Sequence, residues 1–564
     1  MDEMIHAELS KLSMGLSPIA LAVAYADWAM HMSFSPGKQL AMVQLAHQLF
    51  QDTLAQQSDT PLPSNLLVKD SRFDDPAWST WPFKLLKDNF QANQAWFKEF
   101  THVAGMSKHH EHLMRFFTRQ WLDAISPSNW ALTNPEVLDN IKATGGQSLM
   151  LGMEKYIQDV KRITAEQLKM DHQEARKPAF EVGKDVAVTP GKVVFKNNLI
   201  ELIQYAPSTQ TVHPEPLLIV PSCIMKYYIL DLSPHNSMVK FLVNEGFTVF
   251  MVSWRNPDSE DRDLGMQDYI QWGLLDTVKA VQALTKSQRI HAVGYCLGGT
   301  FLAIAAAILA KKKNPSPLAT VTLLAAQTDF SEPGELGVFI DEDQLETLKE
   351  EMAKTGYLSG QQMAGSFQFL NSRDLIWSRS TQRYLLGREE VGNDMVSWNK
   401  DTTRLPARMH TEYLDSLFLN NALSEGHYRM DGQAVDLMNI TQPMMVVATA
   451  RDHISPWKSV YKIHALTDTE ICFVLASGGH NAGIISEPGH PHRSYQIRQE
   501  AQGQGSIEPE AWLTQATTVE GTWWSAWSEW LKHHSHAPIK AQAINPSAGL
   551  KNAPGEYVLR RYED

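Results

Sequence analysis

The sequence predicts a doubly wound α/β domain preceded by a helical region, and three observations carry that prediction. Up to roughly residue 180 the apolar spacing is that of helices. From about Thr189-Pro190-Gly191 onward, short β-branched runs alternate with helical segments. At 564 residues the chain also exceeds the size at which one core usually stops growing, so two or three structural units are expected. The expected division is a helical N-terminal domain over 1–185 and an α/β domain over 186–564.

In the first part, Leu86, Phe90, Phe97, Phe100 and Ala104 share one helical face, and Leu149, Met153, Ile157 and Val160 share another. The stretch Thr60-Pro61-Leu62-Pro63-Ser64 separates the first helices from the next. In the second part, the runs Leu217 to Val220, Phe247 to Val252, Ile290 to Val293, Thr320 to Leu324 and Met444 to Ala448 read as buried parallel strands, which lack polar alternation. Met266 to Leu284 and Leu297 to Leu309 read as the intervening helices. Between about Asp329 and Asn439 (329–439) the rhythm breaks. Gly334, Gly337, Gly360 and Gly365 stand there beside Phe339, Phe367, Phe369 and Trp377, the texture of an inserted lid. The sheet resumes near Pro443. After Trp523, Trp524, Trp527 and Trp530, a Pro/Ala/Lys-containing tail runs from about residue 536 to Asp564. There is no internal repeat.

Composition narrows the classes of function. Apolar residues make up 43% of the chain, enough for a real core. A net charge of −13 argues against nucleic acid, whose phosphates need a basic surface. With only Cys223, Cys296 and Cys472 there is no disulfide framework, and a reducing compartment is expected. Met1-Asp2-Glu3-Met4 is not a secretory n-region, and no run of 18 uncharged apolar residues occurs, so no membrane span and a cytoplasmic location are expected. His109, His110, His112, His533, His534 and His536 have no Cys or carboxylate at ligand spacing, so no metal is expected.

The chemistry concentrates in Val293-Gly294-Tyr295-Cys296-Leu297-Gly298-Gly299, a G-x-C-x-G segment between an apolar strand and an Ala/Leu-rich helix. This is the nucleophile elbow of α/β-hydrolases with cysteine in the serine position. A Cβ two residues from the nucleophile would collide with neighbouring backbone, hence the glycines. The following helix aims its N-terminus at Cys296 and favours the thiolate, and the Leu297 N–H offers half of an oxyanion hole. A buried structural cysteine after a glycine turn is the alternative to the nucleophile, which the segment alone favours only slightly. Downstream, Asp452 follows the run Met444 to Ala448, and His480 sits in Ser477-Gly478-Gly479-His480-Asn481-Ala482-Gly483 after Phe473-Val474-Leu475. Nucleophile, acid, histidine is the α/β-hydrolase order, and three such residues, each after a strand-like run, favour catalysis over packing. His453 is a rival to His480 only by sequence, because the side chains of adjacent residues 452 and 453 point apart.

Further segments make the chain recognisable. They are Arg119-Gln120-Trp121-Leu122-Asp123-Ala124, Ser126-Pro127 through Asn134-Pro135-Glu136, Thr189 to Phe195, Lys226-Tyr227-Tyr228-Ile229-Leu230-Asp231-Leu232 and Val252-Ser253-Trp254-Arg255-Asn256-Pro257-Asp258. They continue with Pro333-Gly334-Glu335-Leu336, Trp398-Asn399 with Asp401, Asp452-His453-Ile454 with Pro456-Trp457, and Gly521-Thr522-Trp523-Trp524. Over nearly its whole length the chain resembles the polyhydroxyalkanoate synthases, of the single-subunit type that favours short-chain monomers.

The resemblance implies an α/β-hydrolase fold with a lid. It implies polymerisation of (R)-3-hydroxyacyl-CoA with release of CoA, with no cofactor beyond that thioester. Cys296 is then the acylated nucleophile and His480 its base. Asp452 activates the incoming hydroxyl, as well as or instead of orienting the histidine. The second oxyanion N–H comes from the Pro221 to Ile224 loop, with Cys223 the expected donor. The family's usual Asn before Lys-Tyr-Tyr is Met225 here, which removes one side-chain hydrogen bond. Ala482 beside His480 sits where side-chain size bears on monomer range, and monomers of three to five carbons are expected. The resemblance also implies a homodimer, attachment to the growing polyester granule and contacts with granule-associated proteins. A thioesterase of the same fold and a catalytically silent granule-surface scaffold are the alternatives.

Overall fold

A computed structural model describes residues 18–55, 70–167, 179–312, 315–358, 365, 369–370, 372–389, 392–544 and 550–561. The Met1 to Met4 segment, the Thr60 to Ser64 break, Gly360, Phe367 and the end of the tail at Asp564 lie outside the described residues. Two compact units emerge, one from 1–177 with 365–391, the other from 178–364 with 392–564. Residues 365–391, taken from within the insertion, thus belong with the N-terminal helices.

The first unit contains α1 (Pro18–Ser33), α2 (Pro36–Ala55), α3 (Phe83–Phe100), α4 (Lys108–Ala124), α5 (Pro135–Thr144) and α6 (Gln147–Gln167). Local chemistry sets their ends. Ser107 caps α4 by accepting from the His110 N–H, and Asn134 caps α5 ahead of a proline at its first position. Gly145, at φ +59°, ends α5 in the left-handed conformation that glycine adopts without strain. On α3, Phe90 is buried and Phe97 and Phe100 are half-buried in an aromatic cluster with Trp96 and Trp28, while Ala104, beyond the helix end, is exposed.

Helix α6 turns its apolar face outward. Met153, Ile157 and Val160 are exposed, and the buried face is Ser148, Gly152, Lys155 and Asp159. The reason is the 383–389 segment. A Cβ at Gly152 would overlap the Tyr384 carbonyl, Lys155 Nζ donates to the Gly387 carbonyl at 2.8 Å, and Asp159 accepts from Arg383 at 2.7 Å and the Tyr384 hydroxyl at 2.9 Å. A specific polar contact has overridden the apolar stripe.

In the second unit, ten strands form one sheet: β1 (Gly191–Lys196), β2 (Ile200–Tyr205), β3 (Leu217–Val220), β4 (Val249–Trp254), β5 (Ile290–Tyr295), β6 (Leu318–Leu324), β7 (Met444–Thr449), β8 (Ile471–Ala476), β9 (Ser494–Glu500) and β10 (Thr517–Glu520). Their order is β1-β2-β4-β3-β5-β6-β7-β8-β9-β10. The six inner strands, β4 to β8 with β3, are parallel, and an antiparallel pair extends each edge. Helix α7 (Met238–Asn244) precedes β4. Residues 266–285, including α8 (Asp276–Thr285), join β4 to β5, and α9 (Leu297–Lys312) follows β5. Every residue of β3, β4, β5, β6, β7 and β8 is buried, as continuous apolar runs require. Strand β7 pairs with β8 from Met444–Ile471 to Thr449–Ala476, so both strands end at one level and their following loops emerge side by side. That register positions the site.

The tryptophan cluster forms α10 (Trp523–His533). Trp523, Trp524 and Trp527 are buried, and their indole N–H groups donate to the Gly483 carbonyl, the Ile484 carbonyl and the Thr322 hydroxyl at 3.0, 2.9 and 3.1 Å. Truncating such a side chain typically costs about 3–5 kcal/mol. Residues 550–561 return to the sheet: Val193 donates to the Lys551 carbonyl, and the buried Glu201 carboxylate accepts the N–H groups of Glu556 and Tyr557. Among the described residues no helix is long and apolar enough to cross a membrane.

Candidate active site

The β5–α9 junction places Cys296 at φ +53°, a left-handed conformation that is strained for a residue with a Cβ. The fold holds it there. The Cys296 N–H donates to the Leu324 carbonyl at 2.8 Å, and its own carbonyl accepts from Gly299 at 2.8 Å as α9 begins. A Cβ at Gly294 would overlap Gly299, and one at Gly298 would overlap the carbonyls of Val220 and Pro221. Both glycines are required by close backbone approach, and the second shows how tightly the loop after β3 lies against the elbow.

Asp452 and His480 come from the loops after β7 and β8. His480 Nδ1 lies 2.7 Å from Asp452 Oδ2, and the imidazole also reaches the Cys296 side chain, leaving Nε2 for the sulfur. Asp452 is fixed in turn: Oδ1 accepts the N–H groups of Ile454 and Ser455 at 2.9 and 2.8 Å, and Oδ2 accepts the Thr449 hydroxyl at 3.0 Å. Burial alone would raise its pKa, but His480 and these N–H donors hold the carboxyl below its ordinary 3.8. Burial would likewise depress His480, yet the charges of Asp452 and Cys296 hold the imidazole well above its ordinary 6.5. The structure therefore brings all three residues into one contact chain. His453 stands outside it, its carbonyl accepting from the Glu335 N–H at 2.9 Å.

The 221–225 loop lies beside the elbow. Cys223 is buried, and burial pushes its thiol pKa up, with the charge of Cys296 acting in the same direction. Leu297 is the first residue of α9, where a helix leaves its N–H without an intrahelical carbonyl, and Cys223 lies in the loop that packs against the elbow. The loop is held by the insertion. The Thr403 hydroxyl contacts the carbonyls of Cys223 and Ile224 at 2.9 and 2.6 Å, and Met225 pairs with Thr402 in an antiparallel bridge. Backbone pairing thus organises this loop with methionine where an asparagine is usual.

Three features of the site were not legible in the sequence. Tyr295, before Cys296, lies over the His480 ring with centroids 5.8 Å apart and planes at 30°, and its hydroxyl donates to Asn481 Oδ1 at 2.5 Å. The indoles of Trp523 and Trp524 hold the far end of the histidine loop, and Thr403 holds the loop after β3. Tyr295 and Asn481 adjoin the two motif residues, which is the signal available in the sequence. Nothing in the sequence pairs Thr403 with residue 223. Among the described residues no group of His, Cys, Asp and Glu side chains is arranged to hold a metal.

Comparison with known proteins places this site in a family. A family model described as the poly-beta-hydroxybutyrate polymerase (PhaC) N-terminus matches residues 69–242, a poly-beta-hydroxybutyrate polymerase N-terminal model matches 1–38, and an alpha/beta hydrolase fold model matches 216–486. The poly(3-hydroxyalkanoate) polymerase of Methylorubrum extorquens is 40% identical over 495 residues, covering 87% of this chain and 80% of its own. The PhaC subunit of the Rhizobium etli polymerase is 36% identical over 518 residues, 91% of this chain and 80% of its own. That of Cupriavidus necator is 36% identical over 501 residues, 87% and 83%. Such identity over most of both chains means that this protein, an α/β-hydrolase-fold enzyme with a helical N-terminal region, belongs to the poly(3-hydroxyalkanoate) polymerases.

Proposed function

We propose that this polymerase joins (R)-3-hydroxyacyl groups from their CoA thioesters into polyester through a covalent acyl-enzyme on Cys296. The observation that carries the reading is the contact chain Asp452–His480–Cys296 at a strained elbow. His480 Nε2 takes the Cys296 proton and the sulfur attacks the thioester carbonyl. The N–H groups of Leu297 and Cys223 receive the oxyanion, and CoA leaves as the thiol with the proton from His480. The hydroxyl of a second 3-hydroxyacyl-CoA, its proton passing to His480 or Asp452, then attacks the acyl-enzyme and releases the Cys296 thiolate. The lengthened chain is still a CoA thioester and returns to Cys296 by the same exchange. Cysteine suits this cycle because thioester exchange is nearly isoenergetic, so loading and unloading repeat. Exclusion of water by the insertion separates polymerisation from hydrolysis. Monomers of three to five carbons, a homodimer, and work at the granule surface in the cytoplasm with granule-associated proteins belong to the same proposal.

The test is incubation of the purified protein with (R)-3-hydroxybutyryl-CoA, following free thiol and turbidity together. CoA release with recoverable polyester is expected, and Cys296→Ala is expected to lower the rate by more than about 10³-fold. Release with only soluble 3-hydroxybutyrate would identify a thioesterase. No release would rule out this monomer or the enzyme reading.

A further inference from the structure

Lys226 directly follows the 221–225 loop, and its buried ammonium has no part in the proposed cycle. Three stretches of chain remote in sequence meet on this residue. Its Nζ donates to the Val558 carbonyl at 2.7 Å and lies 2.7 Å from Asp401 Oδ1. Asp401 Oδ2 accepts the Tyr228 hydroxyl at 2.9 Å, and the Trp398 indole N–H donates to the Lys226 carbonyl at 2.7 Å. The insertion therefore holds Lys226 by both its side chain and its backbone. Val558 is itself buried in the returning C-terminal segment, which is fixed on each side of the contact. The Tyr557 hydroxyl donates to the Asn197 carbonyl at 2.9 Å, and the Arg561 carbonyl accepts from Asn256 Nδ2 at 3.2 Å. Asn256 Oδ1 accepts the Arg404 N–H at 2.9 Å, so one side chain joins the C-terminal segment to the insertion.

A buried ammonium is a poor source of stability, because an apolar side chain of similar volume avoids the cost of desolvating the charge. What the charge provides is direction: two short, charge-assisted contacts hold Nζ where an apolar side chain would slide. Cys223 stands three residues before Lys226, and Thr403 holds the carbonyls of Cys223 and Ile224 between them. A peptide N–H stabilises an oxyanion only within about 2.7–3.1 Å of it, and a misplacement of about 1 Å can cost about 10²-fold in rate. We infer that Lys226 is a positioning residue for the oxyanion hole. Held by Asp401 and the Val558 carbonyl, it fixes the loop that carries the Cys223 N–H. The inference rests on the acyl-enzyme and oxyanion roles proposed above, and it makes the C-terminal segment part of the support of the site. The anchor at Val558 is a backbone carbonyl, so the path of that segment sets the loop.

The experiment compares the full-length wild type with Lys226→Met and with the double variant Lys226→Met/Asp401→Asn in two reactions of Cys296. One is acylation by (R)-3-hydroxybutyryl-CoA, followed as the first turnover of CoA release. The other is alkylation by iodoacetamide, read on the Cys296 peptide by mass spectrometry; the sulfur displaces iodide and no tetrahedral oxyanion forms. Lys226→Met is expected to slow acylation about 10²-fold with KM unchanged, because the oxyanion exists only at and beyond the transition state. Alkylation is expected to stay within about twofold of wild type, since it draws nothing from the oxyanion hole. Removing one member of a buried pair leaves the other charge unpaired, so Lys226→Met is expected to lower Tm and the double variant to regain much of the loss. Acylation by the double variant is expected to stay slow, because no ammonium then holds the loop. Wild-type acylation in Lys226→Met, parallel loss of acylation and alkylation, or acylation that recovers with Tm in the double variant would each overturn the inference. Where Lys226→Met fails to fold, the double variant decides. A wild type that releases no CoA, or Cys296→Ala that releases it as fast, would instead overturn the acyl-enzyme proposal on which the inference rests.

Discussion

Tyr295 shows how a single side chain tunes the site without touching the reacting atoms. Its ring lies over His480 and its hydroxyl holds Asn481, so one residue of the elbow strand fixes both His480 and its neighbour. Tyr295→Phe keeps the ring and deletes the hydroxyl. Loss of one buried hydrogen bond is worth about 1–1.5 kcal/mol, so kcat should fall roughly tenfold with KM unchanged. Asn481→Ala should fall by a similar factor, and the double variant no further, because both delete one contact. Additive losses in steady-state kinetics would show the two residues acting separately. Cys296, Asp452 and His480 were legible because a nucleophile elbow and the order of its partners leave marks in sequence. The Tyr295–Asn481 bond was not, because it joins residues 186 apart whose meeting depends on the sheet.

At the scale of elements, the elbow works because the loop after β3 presses against the start of α9. Gly298→Ala places a methyl group against the Val220 and Pro221 carbonyls, so helix and loop must separate, and a Cys223 N–H acting on the oxyanion as proposed would move away from it. A loss of about 10²–10³ in kcat with unchanged far-ultraviolet circular dichroism is the expected result, comparable to removing one oxyanion donor. Retained activity would mean that the 221–224 loop supplies no part of the hole. The parallel strands were legible as apolar runs, as were the helices after them. Strands β9 and β10 were not, because strands of mixed polarity carry no continuous apolar run; in β9 only Tyr495 and Glu500 are buried. The outward direction of the apolar stripe of α6 was not legible for a related reason, since spacing reveals an apolar face but not whether another segment covers it.

For the whole molecule, buried histidines make stability depend on pH. His291, held between the hydroxyls of Thr320 and Ser535, is pushed down to about 3 by burial, and His410 in the insertion to about 4. Both stay neutral in the fold while the unfolded chain protonates them near their ordinary 6.5. Below that value the unfolded state binds more protons, so stability falls as pH drops from about 6.5 toward 4. Each histidine contributes a slope approaching about 1.4 kcal/mol per pH unit. Urea titrations of the wild type and His410→Leu should converge in slope above pH 7 and diverge by about one histidine's share below 6. Equal pH slopes would show that His410 is protonated in the fold.

The sequence by itself determined the α/β class, the helical N-terminal region, the elbow around Cys296 and the positions of Asp452 and His480. These follow from local rules: apolar runs that must be buried, glycines where a Cβ cannot fit, and a fixed chain order of catalytic loops. Tertiary structure decided what depends on distance through space. It paired β7 with β8 in a register that ends both strands at one level, and set Thr403 beneath the 222–225 loop where Met225 replaces an asparagine. It placed residues 365–391 with the N-terminal helices. Such arrangements join residues remote in the chain, and only the packing of the sheet brings their backbones within hydrogen-bonding reach.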